Sequence, residues 1–158
     1  MADRITITES SLQKLRDELD YLRSTKRREL AEALRKARAF GDLSENFEYH
    51  AARREQAIVN GRIAQLEHII DRATVVPDGP DTALEVAQLG STVCVHDLDT
   101  DDDWEFQLVD PVQADPMDDR ISIQSPVGAA MLGLKVGDEV EVSTPAGAAR
   151  YRVVSIRH

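Results

Sequence analysis

The chain has 158 residues, enough for one ordinary domain or two small ones with modest cores, and a single cysteine, which excludes an internal disulfide framework. No run of about eighteen apolar residues occurs and the start, Met1-Ala2-Asp3-Arg4, lacks the basic-then-apolar order of a secretory leader, so a cytoplasmic protein without a membrane segment is expected. The net charge of −10 argues against extended phosphate binding, but it is unevenly spread: residues 1–75 carry 14 basic and 13 acidic side chains, residues 76–158 carry 5 and 16.

The first predicted element is a helix. Thr8 is placed to cap it, with Ile7 and Leu12 as a hydrophobic staple, and Leu12, Leu15, Leu19, Leu22, Leu30, Ala33, Leu34 and Ala37 form its apolar side. The interval from Leu22 to Leu30 breaks the heptad through Lys26, so the seam drifts there. Gly41 follows the last periodic residues, as a helix-ending glycine should. Basic residues cluster at Lys26-Arg27-Arg28, Arg35-Lys36-Arg38 and Arg53-Arg54. They are either the solvated face of a long helix or the place where nucleic acid would be met.

A second helix follows after a short connection. Tyr49, Ala52, Gln56, Val59, Ile63, Leu66, Ile70 and Ala73 alternate steps of three and four, which predicts an antiparallel two-helix coiled coil roughly 45 Å long. Its tip is Gly41-Asp42-Leu43-Ser44-Glu45-Asn46, where Asp42 and Glu45 stand three residues apart. That spacing is a capping box, with Asp42 as N-cap and Glu45 at N3, and equally a pair of carboxylates offered from one side of a tip.

At Val76-Pro77-Asp78-Gly79-Pro80 the composition becomes that of a linker, running to about residue 90. Period-two alternation then marks strands at Val93/Val95, Trp104/Phe106/Leu108, Ile121/Ile123, Val140/Val142 and Tyr151/Val153. Cys94, within Val93-Cys94-Val95, reads as a small buried residue rather than a nucleophile. Ser125-Pro126 opens a short helix through Leu132, and Pro145-Ala146-Gly147 turns the chain into the last strand. The run Asp97–Asp103 is a solvated hairpin loop: counted as an EF-hand from Asp97, its sixth and twelfth positions are Asp102 and Leu108 where Gly and Glu are needed. The fold class is α+β: a coiled-coil hairpin over 1–75, a lead-in over 76–90 and an antiparallel-sheet domain with one short helix over 91–158.

The segment Gly41-Asp42-Leu43-Ser44-Glu45-Asn46, with Glu48-Tyr49-His50-Ala51-Ala52-Arg53, resembles the signature of the Gre-type bacterial transcript cleavage factors, and of their GreA branch. The likeness continues through Gly61-Arg62-Ile63, Leu66-Glu67, Ile121-Ser122-Ile123-Gln124-Ser125-Pro126, Val136-Gly137-Asp138 and Thr144-Pro145-Ala146-Gly147. It implies that the second domain is FKBP-like and docks, through Ser125 and Pro126, at the rim of the RNA polymerase secondary channel. The hairpin enters that channel and meets the 3′ end of backtracked RNA. Asp42 and Glu45 are then the catalytic pair and the ligands of a Mg²⁺ shared with polymerase and not held tightly by the free protein. Arg38, Ser44, Asn46 and Arg53 face polymerase or RNA at the tip. The resemblance implies a monomer that stimulates cleavage by polymerase and is no enzyme alone.

Two places depart from the family pattern. Phe47 stands where a small alanine is common, and Val127-Gly128-Ala129-Ala130 lacks an arginine often found after the Ser-Pro pair. The first keeps a second function in view, a channel occupant that modulates polymerase without cleavage. Dimerisation through the hairpin is a further alternative, and the shortage of aromatic residues leaves no obvious proline pocket for a prolyl isomerase.

Overall fold

The computed structural model describes residues 4–41 and 46–158. The chain divides into two compact units, Met1–Ile5 with Leu12–Ala73, and Thr6–Ser11 with Thr74–His158. Thr6–Ser11 thus belong to the second unit, apart from the helical residues that follow them. No helix among the described residues is long and apolar enough to cross a membrane.

The first unit is the helical hairpin. Its first arm is helix α1 (Glu9–Tyr21), one wide π-turn (Leu22–Lys26) and helix α2 (Arg27–Arg38); its second is helix α3 (Phe47–Arg72). Leu12, Leu15, Leu19, Leu30, Leu34 and Ala37 are buried on one arm, and Ala52, Val59, Ile63 and Leu66 on the other. The π-turn sits where the heptad breaks. Leu22 to Leu30 is one residue longer than a heptad, and a turn closed by Arg27 N–H on the Leu22 carbonyl absorbs the extra residue. Leu30 therefore returns to the seam. Charged pairs fix the antiparallel register: Glu18 takes two bonds from Arg62, 2.6 and 3.0 Å, Arg23 pairs with Glu67, and Lys26 meets Glu55 at 2.7 Å. The Arg62 bond holds the Glu18 carboxyl below its ordinary range.

The second unit is built on a five-stranded sheet in the order β5-β4-β3-β7-β6, from strands β3 (Thr92–Asp97), β4 (Asp103–Val109), β5 (Arg120–Ser122), β6 (Glu139–Thr144) and β7 (Gly147–Arg157). All neighbours are antiparallel except β5, which runs parallel to β4 with Leu108 opposite Ile121. The expected antiparallel sheet is therefore mixed. The segment 110–119, with its short 3-10 turn at Pro116–Asp118, carries the chain back along β4 before β5 begins, and that return makes a parallel pair possible. The core comprises Ala87, Val93, Val95, Phe106, Leu108, Ile121, Ile123, Met131 and Val153. Cys94 is a correction: the alternation that buries Val93 and Val95 turns Cys94 to the opposite face, half-buried. Burial, then Asp103 and Glu105, push its thiol pKa up, away from a nucleophile's.

Helix α4 (Pro126–Met131) lies on this sheet with Ser125 as N-cap and Pro126 at its first position. Gly128 allows the approach, since a Cβ there would stand 1.9 Å from the Ser122 carbonyl oxygen. A two-stranded sheet pairs strands β1 (Ile5–Thr8) and β2 (Ala73–Val76). Sequence reading missed both, although Ile5-Thr6-Ile7-Thr8 and Thr74-Val75-Val76 are runs of β-branched residues. Thr8 also caps α1, accepting from Ser11 N–H at 3.2 Å.

Candidate functional site

The hairpin tip is closed by Asn46. Its side-chain oxygen accepts from Tyr49 N–H at 3.0 Å, capping α3, while its side-chain nitrogen donates to the Ala37 carbonyl at 2.6 Å on the other arm. One side chain thus starts the second helix and ties it to the end of the first. Ala37 is buried and closes the seam at this end. Gly41, at φ +101°, turns the chain out of α2 in a conformation that L side chains rarely adopt.

Asp42, Ser44 and Glu45 lie outside the described residues. The cap at the start of α3 is nevertheless assigned, to Asn46, and this corrects the capping box that places Asp42 at N-cap and Glu45 at N3. Capping depends on which side chain reaches the first free N–H groups, and Asn46, directly before Phe47, is the one that does. Sequence held the signal: Asn is as good a cap as Asp and stands immediately before the helical run.

The other tip residues surround this closure. The Arg38 guanidinium lies 5.8 Å from the centre of the Tyr49 ring, a cation–π contact between the two arms. Arg53 is exposed and donates to Gln56 at 2.9 Å. Lys36, Arg38 and Arg54 form no ion pair with another described residue. Phe40 and Phe47, one on each side of Gly41–Asn46 in the chain, are 74% and 89% exposed. Phe47 was singled out in sequence; Phe40 and the Arg38–Tyr49 contact were not, because exposure and cross-arm contact are not periodic features.

Ser125 and Pro126 occupy the second unit. The Ser125 hydroxyl donates to the Ser122 carbonyl at 2.6 Å and accepts from Gly128 N–H at 3.1 Å, so its groups are spent on α4. Pro126 is exposed and borders a groove of about 300 Å³ lined with Trp104, Pro116, Ile121, Val127 and Pro145.

Among the described residues no group of three or more His, Cys, Asp or Glu side chains is placed to hold a metal ion. In the sequence, the segment between α2 and α3 offers two carboxylates, Asp42 and Glu45. That donor set fits Mg²⁺, which prefers oxygen and is commonly held by one or two carboxylates together with substrate phosphate. It is too small to hold the ion alone.

Comparison with known proteins agrees across the whole length. The family description "Transcription elongation factor, N-terminal" matches residues 5–75, and "Transcription elongation factor, GreA/GreB, C-term" matches residues 81–158. The chain is 44% identical over 154 residues to transcription elongation factor GreA of Clostridium acetobutylicum, covering 98% of this chain and 97% of that protein. With GreA of Thermoanaerobacter pseudethanolicus it shares 45% identity over 157 residues, 99% of each. The crystal structure of GreA factor homolog 1 of Thermus thermophilus matches at 30% identity over 99% of this chain and 100% of that one, with a TM-score of 0.45.

Proposed function

Since the chain belongs to the GreA/GreB family of transcription elongation factors, we propose that it binds RNA polymerase through the secondary channel and stimulates Mg²⁺-dependent cleavage of the 3′ end of backtracked RNA. Arrested complexes are thereby returned to elongation. The observation that carries this reading is the Asn46 closure. It caps α3 and joins the two arms, which draws together the ends of the segment that carries Asp42 and Glu45 in the sequence.

Division of labour follows from the chemistry. Mg²⁺, when bound, activates a water and offsets charge on the leaving oxygen of a phosphodiester. Asp42 and Glu45 would supply the carboxylates that hold it, polymerase and RNA phosphate completing the set. Asn46 and the Arg38–Tyr49 contact hold the ends of the turn. The groove beside Pro126, with apolar lining, suits docking on a protein surface at the channel rim. Hydrolysis is then a property of the complex and not of the free protein.

The test adds the protein and Mg²⁺ to a stalled, backtracked elongation complex with labelled RNA, beside a control of protein with naked RNA. Shortened RNA 3′ ends that then re-extend are expected only with polymerase. Cleavage of naked RNA by a clean preparation would overturn the shared-site reading. The exposed Phe47 ring favours a second reading, a channel occupant that modulates polymerase without cleavage; binding with no shortened RNA would select it.

A further inference from the structure

Residues 110–119, the connection from β4 to β5, meet different neighbours at their two ends, all within the second unit. The later part is a wall of the groove beside Pro126: Ala114 and Pro116 line it, and Asp119 accepts from the Nε1–H of Trp104, a further lining residue, at 3.1 Å. The first part holds the start of helix α1. Asp110 Oδ2 accepts from Thr8 N–H at 2.9 Å and from the Thr8 hydroxyl at 3.2 Å, while Oδ1 accepts from Gln113 N–H at 3.0 Å. Gln113 Nε2 donates to Thr8 Oγ1 at 3.3 Å and to Ser11 Oγ at 3.1 Å, and its Oε1 accepts from Arg120 at 3.1 Å. Asp115 and Arg120 exchange backbone bonds of 2.8 and 3.0 Å, which closes the connection on itself between Gln113 and the groove wall. Because Thr8 caps α1, Asp110 and Gln113 both act on the first turn of that helix.

Three of the four buried polar or charged residues among those described, Thr8, Ser11 and Asp110, meet here. Asp110 has no cationic partner among the described residues. Well-packed apolar side chains often fill such a place as stably, whereas a fully bonded polar network admits few other arrangements. Beyond this turn α1 runs on as the first arm of the hairpin, which leads in the sequence to Asp42 and Glu45. We propose that Asp110 and Gln113 are positioning residues for transcript cleavage: they pass the placement that docking gives the groove wall to the first turn of the arm that leads to the acids. The inference rests on the proposed function, which supplies both the docked groove and the role of the acids. A second unit that only tethers would raise the local concentration of the tip and do nothing more. One that also fixes the start of the arm helps to place the tip, and a misplacement of about 1 Å costs on the order of a hundredfold in rate.

The experiment titrates the full chain into a backtracked complex with labelled RNA, at a temperature where thermal melts show every variant folded. Thr8→Val removes the hydroxyl and Gln113→Met removes the amide, each with little change of volume. Both should lower the cleavage rate at saturation by about tenfold or more and leave the concentration for half-maximal cleavage within about twofold of wild type. Thr8→Ser, which keeps the hydroxyl, should behave as wild type. Tip placement is read separately by p-benzoylphenylalanine at position 47, whose photocrosslinking to the labelled RNA in saturated complexes should fall in both variants. Folded variants that cleave at the wild-type rate overturn the proposal. A loss confined to the half-maximal concentration overturns it too, because the network then serves docking alone, as does a loss in Thr8→Ser equal to that in Thr8→Val. If bound wild type crosslinks without cleaving, the cleavage reading falls, and the crosslink yields of the variants decide the positioning: a fall upholds it and wild-type yields overturn it. Bound wild type that neither cleaves nor crosslinks removes both.

Discussion

At the hairpin tip, stability and the proposed chemistry can be tested on separate residues. Asn46→Ala removes the α3 cap and the bond to the Ala37 carbonyl together, and should cost roughly 1–2 kcal/mol. Asp42→Ala and Glu45→Ala should leave the melting temperature near wild type and polymerase binding nearly unchanged, yet greatly reduce cleavage in the backtracked complex. Thermal melts and the cleavage assay, run on the same preparations, check both halves. A drop in stability for Asp42→Ala equal to that of Asn46→Ala would return the acids to a structural role. Gly128 offers a second residue-scale test. A methyl group there must push α4 off the Ser122 carbonyl, so Gly128→Ala should destabilise the second unit by about 1–3 kcal/mol, read as a lower urea midpoint. A helix-propensity argument predicts the opposite sign, because Ala is the better helix former.

Among the elements, the π-turn and the β3–β4 hairpin each make a claim about the sequence that builds them. If Leu22–Lys26 exists to absorb one surplus residue, deletion of Ser24 should give a continuous α-helix, with the leucine seam in register and stability at or above wild type. Deletion of Arg16, which is also exposed but lies within regular helix, should rotate the seam by about 100° and lower helical circular dichroism and melting temperature sharply. Equal damage from the two deletions would mean that the wide turn is not the site of the extra residue.

In the β3–β4 hairpin, His96 Nδ1 lies 2.7 Å from Asp103 and Nε2 lies 2.8 Å from Asp101. Carboxylates only accept, so both nitrogens must carry protons and His96 is an imidazolium in this arrangement. The bonds from Asp103 and then Asp101 raise its pKa above the ordinary histidine value of 6.5. The stability this contributes is fully present below the unfolded value and is lost as pH rises through the folded one. A histidine NMR titration should place His96 above 6.5 in wild type and lower in Asp103→Asn. The gap in melting temperature between wild type and His96→Gln should narrow above that pKa. The effect should shrink in high salt, since both carboxylates are exposed.

For the whole chain, the unit boundaries predict how it can be cut. Asp110 is fully buried and accepts from Thr8 N–H at 2.9 Å, the Thr8 hydroxyl at 3.2 Å and Gln113 N–H at 3.0 Å. A fragment of residues 76–158 removes Thr8 and leaves the buried carboxylate two donors short, a loss of about 1–3 kcal/mol or more for a charged group. Its urea midpoint should fall below that of the same unit in the full chain, and Thr8→Val in the full chain should reproduce part of the fall. An unchanged midpoint for the fragment would show that Thr6–Ser11 contribute little to this unit.

Local repetition made much of the protein legible. The leucine and isoleucine seams from Leu12 to Ile70, the alternation in β3, β4, β6 and β7 and the Ser125-Pro126 helix start could all be read in order. Period is a property of neighbouring residues, and burial on one face imposes it wherever an element packs. Tertiary structure alone decided what depends on a distant partner. Asn46, besides its local cap, reached the Ala37 carbonyl on the other arm, nine residues back. Thr6–Ser11 joined the second unit, where Asp110 awaits Thr8 from across the chain. Cys94 faced outward because Val93 and Val95 took the core, and Gly128 was needed because Ser122 lies under it. Such contacts are single approaches between remote segments, and no repeating pattern in either segment records them.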